Sequence, residues 1–250
     1  MMRQEALRLD PIISLPPATL TWSEPIRAFW EMSKLALKFP SLLSAPRGDG
    51  HSVLVIPGFA TSDTATFVLR RYLDLLGYQA NPWLLGINTG FKALGKNEIK
   101  LRTRLREIYS RSGRPVSLVG WSLGGIMCRL LARDHPEMVR EVILIGSPFT
   151  GDPNAIVIRR LYELISGEIY SSSEGRRRFE RDRSSLTDKN VHAIYSKSDG
   201  ITAWENCLEE PEISEQSIEI RGSHLGMTHN PQVYSSVAAI LGKGAAAVTG

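Results

Sequence analysis

Short apolar runs alternate with stripes of helical spacing along most of the chain. Val53, Leu54, Val55 and Ile56 form a continuous apolar run between two turn signals, Pro46-Arg47-Gly48-Asp49-Gly50 and Pro57-Gly58-Phe59, and are predicted as a buried strand. A helix over about 64–76, a strand over about 79–85 and a basic helix over about 97–112 follow. Val116, Leu118 and Val119 then read as a second buried strand, and Ile126, Met127, Leu130 and Leu131 as a helix to about residue 134. The run Val142-Ile143-Leu144-Ile145 continues the alternation, and Val191 to Tyr195, a short helix near 204–208 and a strand over 217–220 resume it. A last helix over about 231–241 is expected to fray in Gly-Lys-Gly-Ala-Ala-Ala. Strand alternating with helix predicts an α/β fold, a mostly parallel central sheet with helices on both faces.

Two stretches stand outside the alternation. Residues 1–21, with Pro11, Pro16 and Pro17, read as an extended arm, and Ser23 as the cap of a helix to about Phe39 with Pro25 in its first turn. Ile26, Phe29, Trp30, Leu37 and Phe39 give that helix an apolar stripe. Such a stripe usually packs on the domain's own body, and lying on a lipid surface is the less common alternative. The expected organisation is therefore an N-terminal arm and amphipathic helix over 1–45, packed on a domain over 46–250. Within that domain, about 151–190 reads as a small cap insertion after the strand that follows residue 134. It combines one apolar stripe with a charged, Ser-rich stretch.

Composition changes this picture little. The 250 residues, 42% hydrophobic and 22% charged, suit one ordinary globular domain. The net charge of +4 raises a nucleic-acid reading, yet seven of the basic residues lie between Lys96 and Arg114 on one helix, and no recognition motif accompanies them. No apolar run reaches the 18 or so residues of a membrane span. The charged N-terminus lacks an apolar block with a cleavage site, so a cytoplasmic location is expected. Cys128 and Cys207 make no disulfide framework.

The candidate chemistry lies at strand ends. Gly120-Trp121-Ser122-Leu123-Gly124 falls where a strand turns directly into a helix, so Ser122 is read as a nucleophile on a strained elbow. A serine hydroxyl needs a base, and that base needs a carboxylate to hold its tautomer. His224, in Gly222-Ser223-His224-Leu225-Gly226, and Asp199, before Gly200, end later strands in the order Ser, Asp, His. His229 and Asp152 are the rival base and acid. The backbone N–H groups of Leu123 and Phe59 are the expected oxyanion donors.

Together, Pro57-Gly58-Phe59, Gly120 to Gly124, Gly146-Ser147-Pro148, Asp199-Gly200 and Gly222 to Gly226 make the chain, from about Gly48 to Leu241, resemble the α/β-hydrolase fold, and within it the small bacterial lipase and esterase branch. The resemblance implies hydrolysis of a small-molecule or lipid-like carboxylic ester through an acyl-enzyme, with no metal and no organic cofactor. Acyl transfer and thioester hydrolysis use the same residues, and a non-catalytic scaffold that binds a ligand or partner is the rival class.

Overall fold

The computed structural model describes residues 14–150, 190–208 and 217–246, together with Val157, Glu163, Leu164, Ser166 and Leu186. Most of the expected cap insertion, the rival acid Asp152 and the first part of the N-terminal arm lie outside the described residues. Among the described residues six strands form one parallel sheet: β1 (Ser52–Ile56), β2 (Gln79–Pro82), β3 (Val116–Trp121), β4 (Val139–Ile145), β5 (Asn190–Tyr195) and β6 (Ser217–Glu219). Their order is β2-β1-β3-β4-β5-β6. The chain thus steps outward from β1 to β2 and then back across β1 to β3. That reversal opens a crevice at the carboxyl ends of β1 and β3, the place where open α/β sheets bind ligands.

Burial on both faces explains the unbroken apolar strands. Leu54, Ile56, Leu118, Val142 and Leu144 pack with helices α3 (Ile99–Ser112) and α4 (Leu123–Asp134). Val53, Val55, Val119, Ile143 and Ile145 pack on the opposite face with α2 (Phe67–Leu76) and α5 (Pro231–Ala246). Alternate residues of one strand therefore serve two cores.

Several boundaries differ from expectation, each for a visible reason. Strand β2 ends at Pro82 rather than near 85, because the N–H groups of Trp83 and Leu84 donate to the Asp63 carboxylate and turn the chain away. Helix α3 starts at Ile99 after two 3-10 turns, Asn97 and Glu98 taking positive φ. Helix α5 continues through the expected frayed end to Ala246, with Gly242 lying close against Pro46.

The largest departure is α1, which spans Ala18–Leu42, so Ser23 and Pro25 lie inside it and Ser23 does not cap it. The Ser23 hydroxyl instead donates back to the carbonyls of Thr19 and Leu20. The helix rests on the domain through Leu35 and Leu42, and its buried face also carries Glu24 and Glu31. The stripe expected to pack inward points outward: Ile26, Phe29, Trp30 and Leu37 are exposed, as is Trp22. Only Phe39, half-buried, joins the core from that stripe. The inversion has a polar cause, since the two carboxylates have partners on the domain side.

Candidate active site

Ser122 sits between the last residue of β3 and the first of α4 with φ 53 and ψ −122, a conformation that costs a side-chain-bearing residue of order 1–3 kcal/mol. The surrounding glycines make the turn possible by closeness rather than flexibility. A methyl group on Gly124 would lie 2.3 Å from the Ile56 carbonyl oxygen, and one on Gly120 would lie 2.4 Å from the Gly125 nitrogen. Helix α4 therefore presses its amino end against the end of β1.

The structure brings the three sequence candidates into one line of hydrogen bonds. Ser122 Oγ lies 3.0 Å from His224 Nε2, and His224 Nδ1 lies 2.6 Å from Asp199 Oδ2. All three residues are buried, Ser122 at 8% exposure, Asp199 at 4% and His224 at 3%. The second Asp199 oxygen accepts from the N–H groups of Ile201 and Thr202, each at 2.8 Å. Asp199 is thereby oriented by backbone on one side and faces the imidazole on the other. Burial works against the imidazolium of His224, but the charge and hydrogen bond of Asp199, with Glu24 behind, outweigh it and raise its pKa above the ordinary value. Trp121, next to the serine, donates its indole N–H to the His224 carbonyl at 3.2 Å and lies against the imidazole, with ring centroids 5.9 Å apart. His229, the rival base, instead lies 3.0 Å from the Thr228 hydroxyl in a 3-10 turn.

Across the crevice, the loop after β1 carries Phe59. Asn88, fully buried, holds this loop: its side chain donates to the Pro57 carbonyl at 2.8 Å, and its backbone accepts from Ala60 N–H and donates to Thr61. Phe59 and Leu123 belong to one buried cluster. Leu123 opens α4, so its N–H points out of the helix end rather than into the ladder.

Glu24, Glu31 and Asn88 went unnoticed in the sequence because they belong to no motif. Glu24 Oε1 accepts from Gly200 N–H at 2.8 Å and His224 N–H at 3.0 Å, and Oε2 accepts from Leu225 N–H at 2.8 Å. One carboxylate thus joins the loop of Asp199 to the loop of His224. Arg27 pairs with it at 2.8 Å and reaches the Ser198 carbonyl at 2.6 Å. Glu31 accepts from both the N–H and the hydroxyl of Ser223. At Gly200 the backbone of α1 approaches closely, since a methyl there would lie 2.5 Å from the Leu20 carbonyl. The signal available beforehand was two acids on the face of an amphipathic helix opposite its aromatic stripe.

A second Ser-His-Asp constellation lies at the other end of the sheet. His51 bonds to Asp49 through Nδ1 and lies 2.8 Å from Ser117 Oγ through Nε2, while the Ser117 hydroxyl donates to Glu141 at 2.8 Å. Ser117, His51 and Glu141 are buried at the amino ends of β3, β1 and β4, and Ser117 lies within a regular strand. Its hydroxyl is spent on Glu141, so this group ties strands together.

Among the described residues no group of His, Cys, Asp and Glu is arranged to hold a metal ion, and no helix is long and apolar enough to cross a membrane.

Comparison with known proteins agrees with this architecture. Residues 110–175, which contain β3, the Ser122 elbow, α4 and β4, match the family described as the alpha/beta hydrolase fold. No curated protein matches the sequence. Among solved structures, the chain is similar to the lipase BlEst2 of Bacillus licheniformis in mature form, at 16% identity and TM-score 0.57, covering 79% of this chain and 94% of that one. It is likewise similar to the monoacylglycerol lipase of Paleococcus ferrophilus, at 13% identity and TM-score 0.57, covering 80% and 96%. The thioesterase domain from the curacin biosynthetic pathway is a further neighbour, at 14% identity and TM-score 0.51, covering 80% and 91%. With its parallel sheet, its switch-point crevice and its strand-to-helix elbow, the chain has the α/β-hydrolase fold.

Proposed function

We propose that the protein is a serine hydrolase that cleaves a small-molecule or lipid-like carboxylic ester through an acyl-enzyme. The observation that carries this reading is the continuous line from Ser122 Oγ through His224 to Asp199, at 3.0 and 2.6 Å, at the carboxyl edge of the sheet. In this reading Ser122 attacks the ester carbonyl while His224 Nε2 takes its proton, and Asp199 stabilises the imidazolium that results. The oxygen of the tetrahedral intermediate is held by the N–H groups of Leu123 and Phe59, the first strengthened by its place at the amino end of α4. His224 then gives its proton to the leaving alkoxide. Water, deprotonated by the same imidazole, attacks the acyl carbonyl, and as the carbonyl–Oγ bond breaks the imidazolium returns that proton to Ser122 Oγ and the carboxylic acid leaves.

The test is covalent labelling by a fluorophosphonate probe together with hydrolysis of a short p-nitrophenyl ester. Wild type should label and turn over. Ser122→Ala should keep its fold, lose the label and lose up to about 10⁶ in turnover. Equal labelling of the two proteins would remove Ser122 from the reaction.

A further inference from the structure

Helix α1 is inside out by the ordinary rule of amphipathic helices. Its acids face the protein and its largest apolar side chains face away. Trp22, Ile26, Phe29, Trp30 and Leu37 are spaced at i, i+4, i+7, i+8 and i+15, which places them on one face over about 22 Å of helix. Their exposures run from 59% for Phe29 and Trp30 to 86% for Trp22. Scattered exposed apolar residues need no explanation, but an aligned row of this size marks a contact surface.

Charge says what fits the row. Both acids of α1 are buried, Arg27 is half-buried on Glu24, and the exposed charges on the helix are Lys34 and Lys38. A face of tryptophan, phenylalanine and isoleucine with Lys34 beside it and Lys38 further round the helix matches the boundary of an anionic bilayer, where the rings lie at headgroup level and the flexible lysine stems carry their ammonium groups to phosphates. A second copy fits less well. The equivalent helix of a second copy offers no exposed acid to meet Lys34 and Lys38, where an anionic bilayer offers phosphates.

We infer that the outward face of α1 docks the protein on an anionic lipid surface. The inward face of the same helix holds the loops of His224 and Asp199 through Glu24 and Glu31, so the docked helix would keep the candidate site next to the membrane. The inference concerns binding and stands apart from the ester-hydrolase reading.

The experiment is co-sedimentation of the full chain with large unilamellar vesicles of phosphatidylcholine alone and of phosphatidylcholine with phosphatidylglycerol at 7:3. Tryptophan emission is followed in parallel. Binding to the anionic vesicles should be roughly tenfold or more tighter than to the neutral ones, with a blue shift of the emission. Ile26→Gln/Phe29→Gln should abolish binding, and Lys34→Glu/Lys38→Glu should remove the preference for anionic lipid. Circular dichroism and melting temperature, which do not depend on catalysis, should stay at wild-type values in both. Absence of binding by folded wild type would overturn the inference, as would equal binding to both vesicles that the charge reversal leaves unchanged. A wild-type dimer that Ile26→Gln/Phe29→Gln converts to monomer, without vesicle binding, would assign the face to a second copy instead.

Discussion

Replacing Glu24 by glutamine tests whether α1 is part of the catalytic apparatus or only part of the wall. The substitution keeps the volume and removes the charge. In the native protein both carboxylate oxygens accept backbone N–H groups, Oε1 from Gly200 and His224 and Oε2 from Leu225. A glutamine has one oxygen and one NH2, so either orientation sets a donor against at least one buried N–H. Hydrogen bonds to a charged acceptor are worth about 1.5–3 kcal/mol, and a buried donor left without one costs about 1–3 kcal/mol. A net loss of about 1–3 kcal/mol follows, which in a chain of this size lowers the melting temperature by roughly 2–12 °C. Arg27 softens the loss, because it keeps its bonds to the carbonyls of Ser198 and Leu20.

Stability alone would not distinguish a brick from a positioning residue, so the assay is kcat/KM for a short soluble ester across pH. Every 1.4 kcal/mol of positioning lost at His224 or Asp199 is tenfold in rate, so a fall of roughly tenfold to a hundredfold is expected. The pH profile carries the sharper sign. Glu24 is one of the negative charges that raise the His224 pKa, and the imidazole serves as base only in its neutral form. Activity in the wild type should therefore appear on the alkaline side of about 6.5, the ordinary histidine value. In Glu24→Gln the acid limb should move to lower pH. Glu24→Asp keeps the charge on a shorter side chain, so it should restore the limb better than it restores the rate. A lower melting temperature with unchanged kcat/KM and an unmoved limb would refute the reasoning.

Asp199→Asn should lose about 10⁴ in turnover with its fold intact. Its carbonyl oxygen would take the N–H groups of Ile201 and Thr202, turn the NH2 toward His224 Nδ1 and force the proton onto Nε2; a loss under tenfold would remove Asp199 from the assignment. Asn88→Ala strips the buried Pro57 carbonyl of its donor, so a loss of about 1–3 kcal/mol in thermal unfolding is expected. Because the loop carries Phe59, kcat should fall more than KM rises, and the reverse split would detach Phe59 from the transition state. Glu141→Gln addresses the far network. Burial raises the Glu141 pKa above its unfolded value, so the native group contributes stability that is present at low pH and lost as pH rises through the raised pKa. The variant should gain melting temperature relative to wild type between pH 4 and pH 8, and parallel curves would contradict this.

How much of this was legible in the sequence depends on which force set each feature. The strands were legible because a parallel sheet buried on both faces demands continuous apolar runs, and Val53 to Ile56 and Val142 to Ile145 are such runs. The Ser122 elbow was legible because backbone crowding admits few residue types, and crowding leaves glycines in a fixed pattern. The proximity of Ser122, Asp199 and His224 was legible because each follows the carboxyl end of a strand, and a parallel sheet brings those ends to one edge. Element boundaries were less legible where a distant side chain decided them, as Asp63 does at the end of β2.

Helix α1 shows why the remainder was hidden. Periodicity locates an apolar stripe and is silent about whether protein or something else covers it. The usual inference assumes that the opposite, polar face has water as its best partner. Here that assumption fails at Glu24 and Glu31, which find backbone N–H groups of the Gly200, Ser223, His224 and Leu225 segments instead. Those donors end up unpaired only because the two loops leave the sheet to present Asp199 and His224, and they are 176 to 201 residues away from Glu24 in the chain. A buried carboxylate is costly without such partners and favourable with several. The orientation of the helix was therefore set by hydrogen-bond donors that exist only once the candidate site has formed, and the outward turn of Trp22, Ile26, Phe29, Trp30 and Leu37 follows from where those donors lie.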